Sequence, residues 1–353
     1  MRQSAILIRL AAIFLLLLAG TEIVLRQWVL TPSRQTFDPQ LGFTYLGNQD
    51  ILHTREGRAR ITLNSLGLNA PPLDTIHAAA QNRPTVLVLG DSYTEALQVP
   101  RETNFVSLAA QASGLNLVNA GRSGLGPLHY PEIFGQLRAD IVPDALIICL
   151  TQGDIQDARR TPYRVVRTEG ELAISGLSVT ASANNRLRGH IEPLIHHSAL
   201  ATLIMRRAAL VLGGWQWPWE DWPFFDTPEI RSPARRAGDD DVYSAIMFQL
   251  AALNSQIPTA LLYIPTFRYA AGGVMIETAQ SRRDRRAFET MAAELSLPLF
   301  QAGAAMRASY ARDSFPLTGF DNATLGHGHL NERGHAAVAQ TLAQAARAVA
   351  DRP

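Results

Sequence analysis

The chain has 353 residues, 47% hydrophobic and 18% charged, with a formal net charge of +1. These proportions exclude a disordered or collagen-like chain, and the near-neutral charge provides no basic footprint for nucleic acid. Its one cysteine, Cys149, excludes an internal disulfide and a cysteine-based zinc cluster, and all 32 basic residues are arginine, which removes lysine-dependent chemistry.

Residues 1–30 read as a membrane segment. Leu10 to Val24 is apolar except for Thr21 and Glu22, and Ala5 to Ile8 extends the run upstream of Arg9. A helix from Ala5 to Leu25 approaches the roughly 20 residues that a bilayer requires. Arg2 and Arg9 mark the cytoplasmic side, so the expectation is a single-pass membrane anchor with the main domain on the outer side. A cleaved signal peptide is the alternative, although no small-x-small cleavage site follows the apolar run. Both place the bulk of the chain outside the cytoplasm.

Residues 31–83 are rich in Gly, Pro, Asn and Thr and read as an extension of loops and small strands. A regular domain, 84–353, follows. Thr85–Leu89, Leu115–Val118, Ala145–Leu150 and Thr259–Ile264 are short, continuously apolar runs, as expected of parallel strands covered on both faces. Helical periodicity joins Val242, Ile246, Leu250 and Leu253, and again Val338, Leu342, Ala345 and Val349. Alternating strands and helices predict an α/β domain with a doubly wound parallel sheet, whose site lies beyond the carboxyl ends of the strands.

An insertion at about 160–240 interrupts the alternation with helical and irregular sequence. It holds His196-His197, an apolar stretch Ser198–Leu212 containing Arg206-Arg207, and Trp215, Trp217, Trp219 and Trp222. The arginine pair argues against a second span. The tryptophans read as packing, and the histidine pair lacks the carboxylates and spacing of a metal site. No metal and no cofactor are expected. Cys149, inside an apolar run, reads as a buried small hydrophobe.

Chemistry concentrates at the strand ends. The first run passes directly into Gly90-Asp91-Ser92, which puts a serine hydroxyl at the sheet's carboxyl edge, beside backbone N–H groups that can hold an oxyanion. The second run ends in Asn119-Ala120-Gly121-Arg122-Ser123-Gly124, and the third in Thr151-Gln152-Gly153-Asp154. His327-Gly328-His329-Leu330-Asn331 precedes the last helix, where His329 can act as general base for Ser92.

This ordered set of blocks resembles the SGNH (GDSL-type) hydrolase superfamily, in particular its membrane-anchored bacterial members. FDPQLGFTYLGN and LNSLGLN also resemble the N-terminal extension found there. The resemblance implies a flavodoxin-like three-layer α/β/α domain and acyl-ester chemistry. It implies Ser92 as nucleophile, His329 as base, and the Ser92 and Gly124 N–H groups as oxyanion donors. Two family residues are replaced. Gly153 stands where the oxyanion asparagine is expected, with Gln152 as a substitute amide. Gly326 and His327 stand where the acid orienting the histidine is expected, with Asp321 or His327 as stand-ins. Losing one oxyanion donor costs roughly a hundred- to a thousand-fold in rate.

The reading is therefore an extracytoplasmic serine esterase or O-acyltransferase acting on acyl or acetyl esters of an envelope glycan or lipid. Its partners would be an acylated small molecule, glycan or lipid and the inner membrane, with no nucleic acid. The alternative is a catalytically degenerate relative that binds a glycan or protein partner.

Overall fold

A computed structural model describes residues 2–161, 164–168, 171–175, 197–204, 239–270 and 273–351. Helix α1 (Arg2–Trp28) leads the chain, and its Ala5–Trp28 portion is long and apolar enough to cross a membrane. The last turns of α1 are tied to the insertion. Glu22 accepts hydrogen bonds from the Ala199 and Leu200 N–H groups (2.7 and 2.9 Å) and the Ser198 hydroxyl (2.9 Å). It thereby caps a helical turn at 199–204, and Leu25, Leu30 and Ala199 close a small buried cluster beside it.

The extension forms two antiparallel hairpins. β1 (Gln35–Asp38) pairs with β2 (Gly42–Tyr45), and β3 (Gln49–His53) pairs with β4 (Ala59–Leu63). In β4, Ala59, Ile61 and Leu63 face inward, whereas Arg60 and Thr62 face outward, the period-2 alternation of a half-buried strand. Helix α2 (Leu73–Ala80) then leads into the sheet.

Five parallel strands make that sheet: β5 (Thr85–Leu89), β6 (Asn116–Asn119), β7 (Ala145–Thr151), β10 (Thr259–Ile264) and β13 (Leu299–Gln301). Their spatial order is β13-β10-β7-β5-β6. Read from the first of the five, this is the flavodoxin-like order 2-1-3-4-5, whose switch point lies between β5 and β7. The apolar runs are continuous because both faces are covered. Leu87, Leu89, Leu146, Ile148, Leu150 and Leu261 belong to one buried cluster, and Val86, Val88, Ile147, Cys149 and Leu262 to the other. Each such side chain, removed completely from water, contributes roughly 1.5–3 kcal/mol. Cys149 is a buried core residue, as the sequence suggested.

Helices cover both faces, giving three layers. On the first cluster lie α5 (Tyr130–Ile141), α7 (Asp239–Asn254) and α8 (Ala279–Glu294). On the second lie α4 (Phe105–Ser113), α9 (Gly303–Asp313) and α10 (Glu332–Ala350). Short helices α3 (Ser92–Glu95) and α6 (Asp154–Arg160) begin at the ends of β5 and β7. The short strand β13 carries no apolar run of its own and is not among the strands expected from sequence.

Of the insertion, the structure describes a hairpin of β8 (Arg164–Thr168) and β9 (Glu171–Ser175) and the turn at 197–204. A further hairpin, β11 (Phe267–Ala270) with β12 (Val274–Glu277), follows β10. His196, Arg206-Arg207 and the four tryptophans lie outside the described residues.

Candidate active site

β5 delivers Gly90-Asp91-Ser92 to the carboxyl edge of the sheet, next to the switch point. Asp91 caps α3 by accepting from Tyr93 N–H (2.9 Å), and its other oxygen accepts from the Thr151 hydroxyl at the end of β7 (2.8 Å). The turn is tight. A Cβ on Gly90 would lie 2.1 Å from Thr94 Oγ1, and one on Gly121 would lie 2.3 Å from Glu95 N, so only glycine lets the first two strand ends approach this closely. Asn119 closes the same junction by donating to Thr94 O (2.6 Å) and accepting from Gly121 N–H (2.9 Å).

His329 reaches Ser92 across more than two hundred residues. The distance from its Nε2 to Ser92 Oγ is 2.9 Å. The loop that carries it is locked by Asn331, which caps α10 and donates to Pro316 O (2.8 Å). Tyr93 packs its ring against the imidazole, centroids 5.2 Å apart, and donates to Gly328 O (3.0 Å).

The acid that orients His329 is Glu56. Its Oε2 lies 2.6 Å from His329 Nδ1, and its Oε1 accepts from the His329 backbone N–H, also at 2.6 Å. This corrects the sequence expectation. Asp321 and His327 are exposed, and neither bonds His329; the His327 N–H instead donates to Thr324 O within its own turn. Burial pushes the Glu56 pKa up, but the hydrogen bonds and charge of His329 outweigh it and hold the carboxyl below its usual range. Nδ1 therefore keeps its proton and Nε2 is free to accept one from serine.

Glu56 sits in the turn between β3 and β4, in the extension rather than the sheet domain. Asn322 clamps that turn, accepting from Gly57 N–H (2.9 Å) and donating to Thr54 O (3.0 Å) and Gly57 O (2.9 Å). Gly328 makes room for the carboxylate. It has φ +81°, and a Cβ there would fall 2.0 Å from Glu56 Oε1. A faint signal was available in the sequence, since Glu56 is the only acidic residue between Asp50 and Asp74. No local motif ties it to a histidine 273 positions away.

For the oxyanion, Ser92 N–H and Gly124 N–H have no acceptor among the described residues. Gly124 adopts φ +77°. Gly153 has no side-chain amide to offer, and its N–H, at φ +112°, donates to Asp284 Oδ2 (3.2 Å), so it brings no donor to the site. Gln152 is held by its Oε1, which accepts from the Thr278 hydroxyl, and its Nε2 has no acceptor among the described residues. Beneath the site, Asp154 accepts from Thr151 N–H (2.5 Å), and burial together with the Asp91 charge raises its pKa. Beside it, Glu95 accepts from both the hydroxyl and the N–H of Ser123, the neighbour of Gly124. Burial raises the Glu95 pKa to about 7 despite those donors and the nearby Arg122. Among the described residues no three His, Cys, Asp or Glu side chains converge as metal ligands.

No protein-family model and no curated protein matches the chain. Several solved structures do. A protein described as lipolytic, of the G-D-S-L family, from Desulfitobacterium hafniense is 12% identical over 74% of this chain and 99% of that one, with a TM-score of 0.34. A variant of an acetyl xylan esterase from Geobacillus stearothermophilus is 14% identical over 74% and 93% of the two chains, TM-score 0.37. A psychrotrophic esterase from Pseudoalteromonas is 14% identical over 75% and 97%, TM-score 0.35. Ser92, His329 and Glu56 stand in the geometry of a serine–histidine–acid triad.

Proposed function

We propose that this chain is a membrane-anchored serine esterase or O-acyltransferase of SGNH type that works outside the cytoplasm on acyl esters of an envelope glycan or lipid. The observation that carries this reading is the hydrogen-bonded line from Ser92 Oγ through His329 to Glu56. Ser92 Oγ attacks the ester carbonyl carbon while its proton passes to His329 Nε2. The carbonyl electron pair becomes an oxyanion that Ser92 N–H and Gly124 N–H are free to receive. Collapse re-forms the carbonyl, breaks the bond to the leaving alkoxide, and returns the proton from Nε2 to that oxygen. Water, or a sugar hydroxyl, then repeats the sequence on the acyl-enzyme, giving hydrolysis or transfer. Glu56 holds Nδ1–H throughout and stabilises the imidazolium.

Retention of α1 as an anchor is supported by its contacts. Glu22 caps the turn at 199–204 and Leu25 is buried against it, so the end of the helix is built into the folded chain. Engagement of Gly153 N–H by Asp284 favours the degenerate reading in one respect, because it leaves position 153 with neither a side-chain amide nor a free N–H for the oxyanion. A fluorophosphonate decides between the two. It should label the detergent-solubilised full chain at Ser92, and Ser92→Ala should abolish both labelling and aryl-ester turnover while leaving the thermal melt unchanged. A wild-type chain that neither labels nor turns over would refute the catalytic reading.

A further inference from the structure

The hairpin that supplies Glu56 is also fastened to the end of α1. Thr54 Oγ1 donates to Val29 O (2.7 Å), Arg58 Nη2 to Trp28 O (3.0 Å), and Arg60 Nη2 to Gln27 O (3.3 Å). Two of these are guanidinium groups that satisfy carbonyls at a helix C-terminus, where positive charge is favoured. One short element therefore holds the orienting acid of the triad and grips the point at which the chain leaves the apolar helix.

The distances follow from chain geometry. The 24 residues Ala5–Trp28 span about 36 Å at roughly 1.5 Å per residue, against about 30 Å of hydrocarbon. With α1 across the bilayer, as proposed above, Gln27 to Val29 fall at headgroup level. From Val29 O the path to Ser92 Oγ runs through Thr54, Glu56 and His329, and its full contour is at most about 25 Å with extended residues. The surface at this level has the character of an interface. Trp28 is 67% exposed, Val29 is exposed beside it, and Arg55, Arg58 and Arg60 are exposed on the hairpin. Aromatic rings settle at headgroups, and arginines attract anionic lipid. Leu325, on the loop between Asn322 and His329, is also exposed.

We propose that the Ser92 site draws its acyl ester from the membrane surface out of which α1 emerges, the substrate being an amphiphile held in that leaflet. This inference rests on the catalytic reading above and names the substrate class of the same site. Docking of the Glu56 hairpin on α1 keeps the nucleophile within a fixed short reach of the headgroups. An ester confined to the leaflet is then met at high effective concentration, whereas one in bulk water gains nothing.

The test compares two acetate esters with the same scissile group: a 6-O-acetyl methyl glucoside in water, and a 6-O-acetyl dodecyl glucoside partitioned into vesicles of phosphatidylethanolamine and phosphatidylglycerol. Wild-type full chain is reconstituted in those vesicles and acetate release is measured. The comparison variant is Glu22→Ala/Thr54→Val/Arg58→Gln/Arg60→Gln with a Gly-Ser spacer of about a dozen residues after Pro32, which removes the hairpin's hydrogen bonds to α1 together with the Glu22 cap on the turn at 199–204. Asn322 and Gly328 hold Glu56 independently of α1, so the variant should hydrolyse the soluble ester within about twofold of wild type. Its preference for the vesicle-borne ester should fall at least fivefold. Arg58→Gln/Arg60→Gln without the spacer should move the same way by less, and fluorophosphonate labelling of Ser92 reports that the triad is intact in both. An unchanged preference, or equal loss on both esters, would overturn the inference while leaving the catalytic reading standing. Absence of Ser92-dependent acetate release from either ester would overturn both.

Discussion

Replacing Glu56 by glutamine keeps the length and shape of the side chain but exchanges one oxygen acceptor for an NH2 donor. Both carboxylate oxygens are in use, each at 2.6 Å, one on His329 Nδ1 and one on the His329 backbone N–H. A glutamine can serve only one of them. If its oxygen stays on the backbone N–H, its NH2 faces Nδ1 and drives the proton to Nε2. That tautomer points N–H at Ser92 and cannot accept the serine proton. The corresponding amide substitution in serine proteases lowers kcat by about 10⁴, which is about 5.5 kcal/mol of transition-state stabilisation. If the glutamine turns the other way, the half-buried backbone N–H loses its acceptor at a cost of about 1–3 kcal/mol, and the loop holding His329 loosens. Glu56→Gln is therefore expected to lower kcat for an aryl ester by about 10³–10⁴, with KM little changed because Glu56 does not touch substrate. The measurements are initial rates and the fluorophosphonate labelling rate at Ser92, with the thermal melt as control. Turnover within tenfold of wild type, with His329→Ala still inactive, would refute the role given to Glu56.

Gly328→Ala should be nearly as damaging as loss of Glu56 itself, because the new Cβ would fall on Glu56 Oε1 at a backbone φ of +81°; a crystal structure or labelling rate indistinguishable from wild type would contradict this. His327→Asp, which restores the acid position of the family pattern, should leave the rate unchanged, since Nδ1 already has its carboxylate; a tenfold gain would show that Glu56 is not engaged in solution. Glu95→Gln should flatten the pH dependence of stability. The folded chain holds the Glu95 proton up to about pH 7, whereas the unfolded chain releases it near 4.5, so stability falls as pH rises between those values. The whole window is worth about 3 kcal/mol, read as melting temperatures of wild type and variant at pH 4.5, 6 and 8; parallel curves would count against it.

The catalytic line has the two halves of its geometry on different parts of the chain. Ser92 and His329 come from the sheet domain, at the end of β5 and before α10. Glu56 comes from a hairpin of the extension, whose Ile51, Ala59, Ile61 and Leu63 form a small cluster closed by Leu97 of the sheet domain. Asn322 joins the two halves. A chain that loses the extension would keep its nucleophile and base and lose the group that sets the tautomer.

What the sequence determined by itself was whatever is written locally. Continuous apolar runs at Thr85–Leu89, Ala145–Leu150 and Thr259–Ile264, bounded by turn residues, read as strands covered on both faces, and glycine followed by Asp91-Ser92 at the end of the first put a serine hydroxyl at the sheet's edge. The spacing of Val338, Leu342, Ala345 and Val349 marked α10, and with it the loop that holds His329. Strand β13 escaped because two half-buried residues and an exposed one carry no periodicity, and its place is set by pairing with β10. Glu56 escaped for a stronger reason. A carboxylate in a turn looks like solvated charge, and what joins it to His329 is the meeting of three segments, the β3–β4 turn, Asn322 and Gly328, none of which signals the others in the linear chain. Likewise Gly153 read as a missing oxyanion donor, while its actual constraint, a backbone at φ +112° with its N–H on Asp284 of α8, exists only once α8 has packed against the end of β7. Strands and helices follow from short-range periodicity, whereas hydrogen-bond partners across the site follow from the path of the whole chain, which no short window of sequence contains.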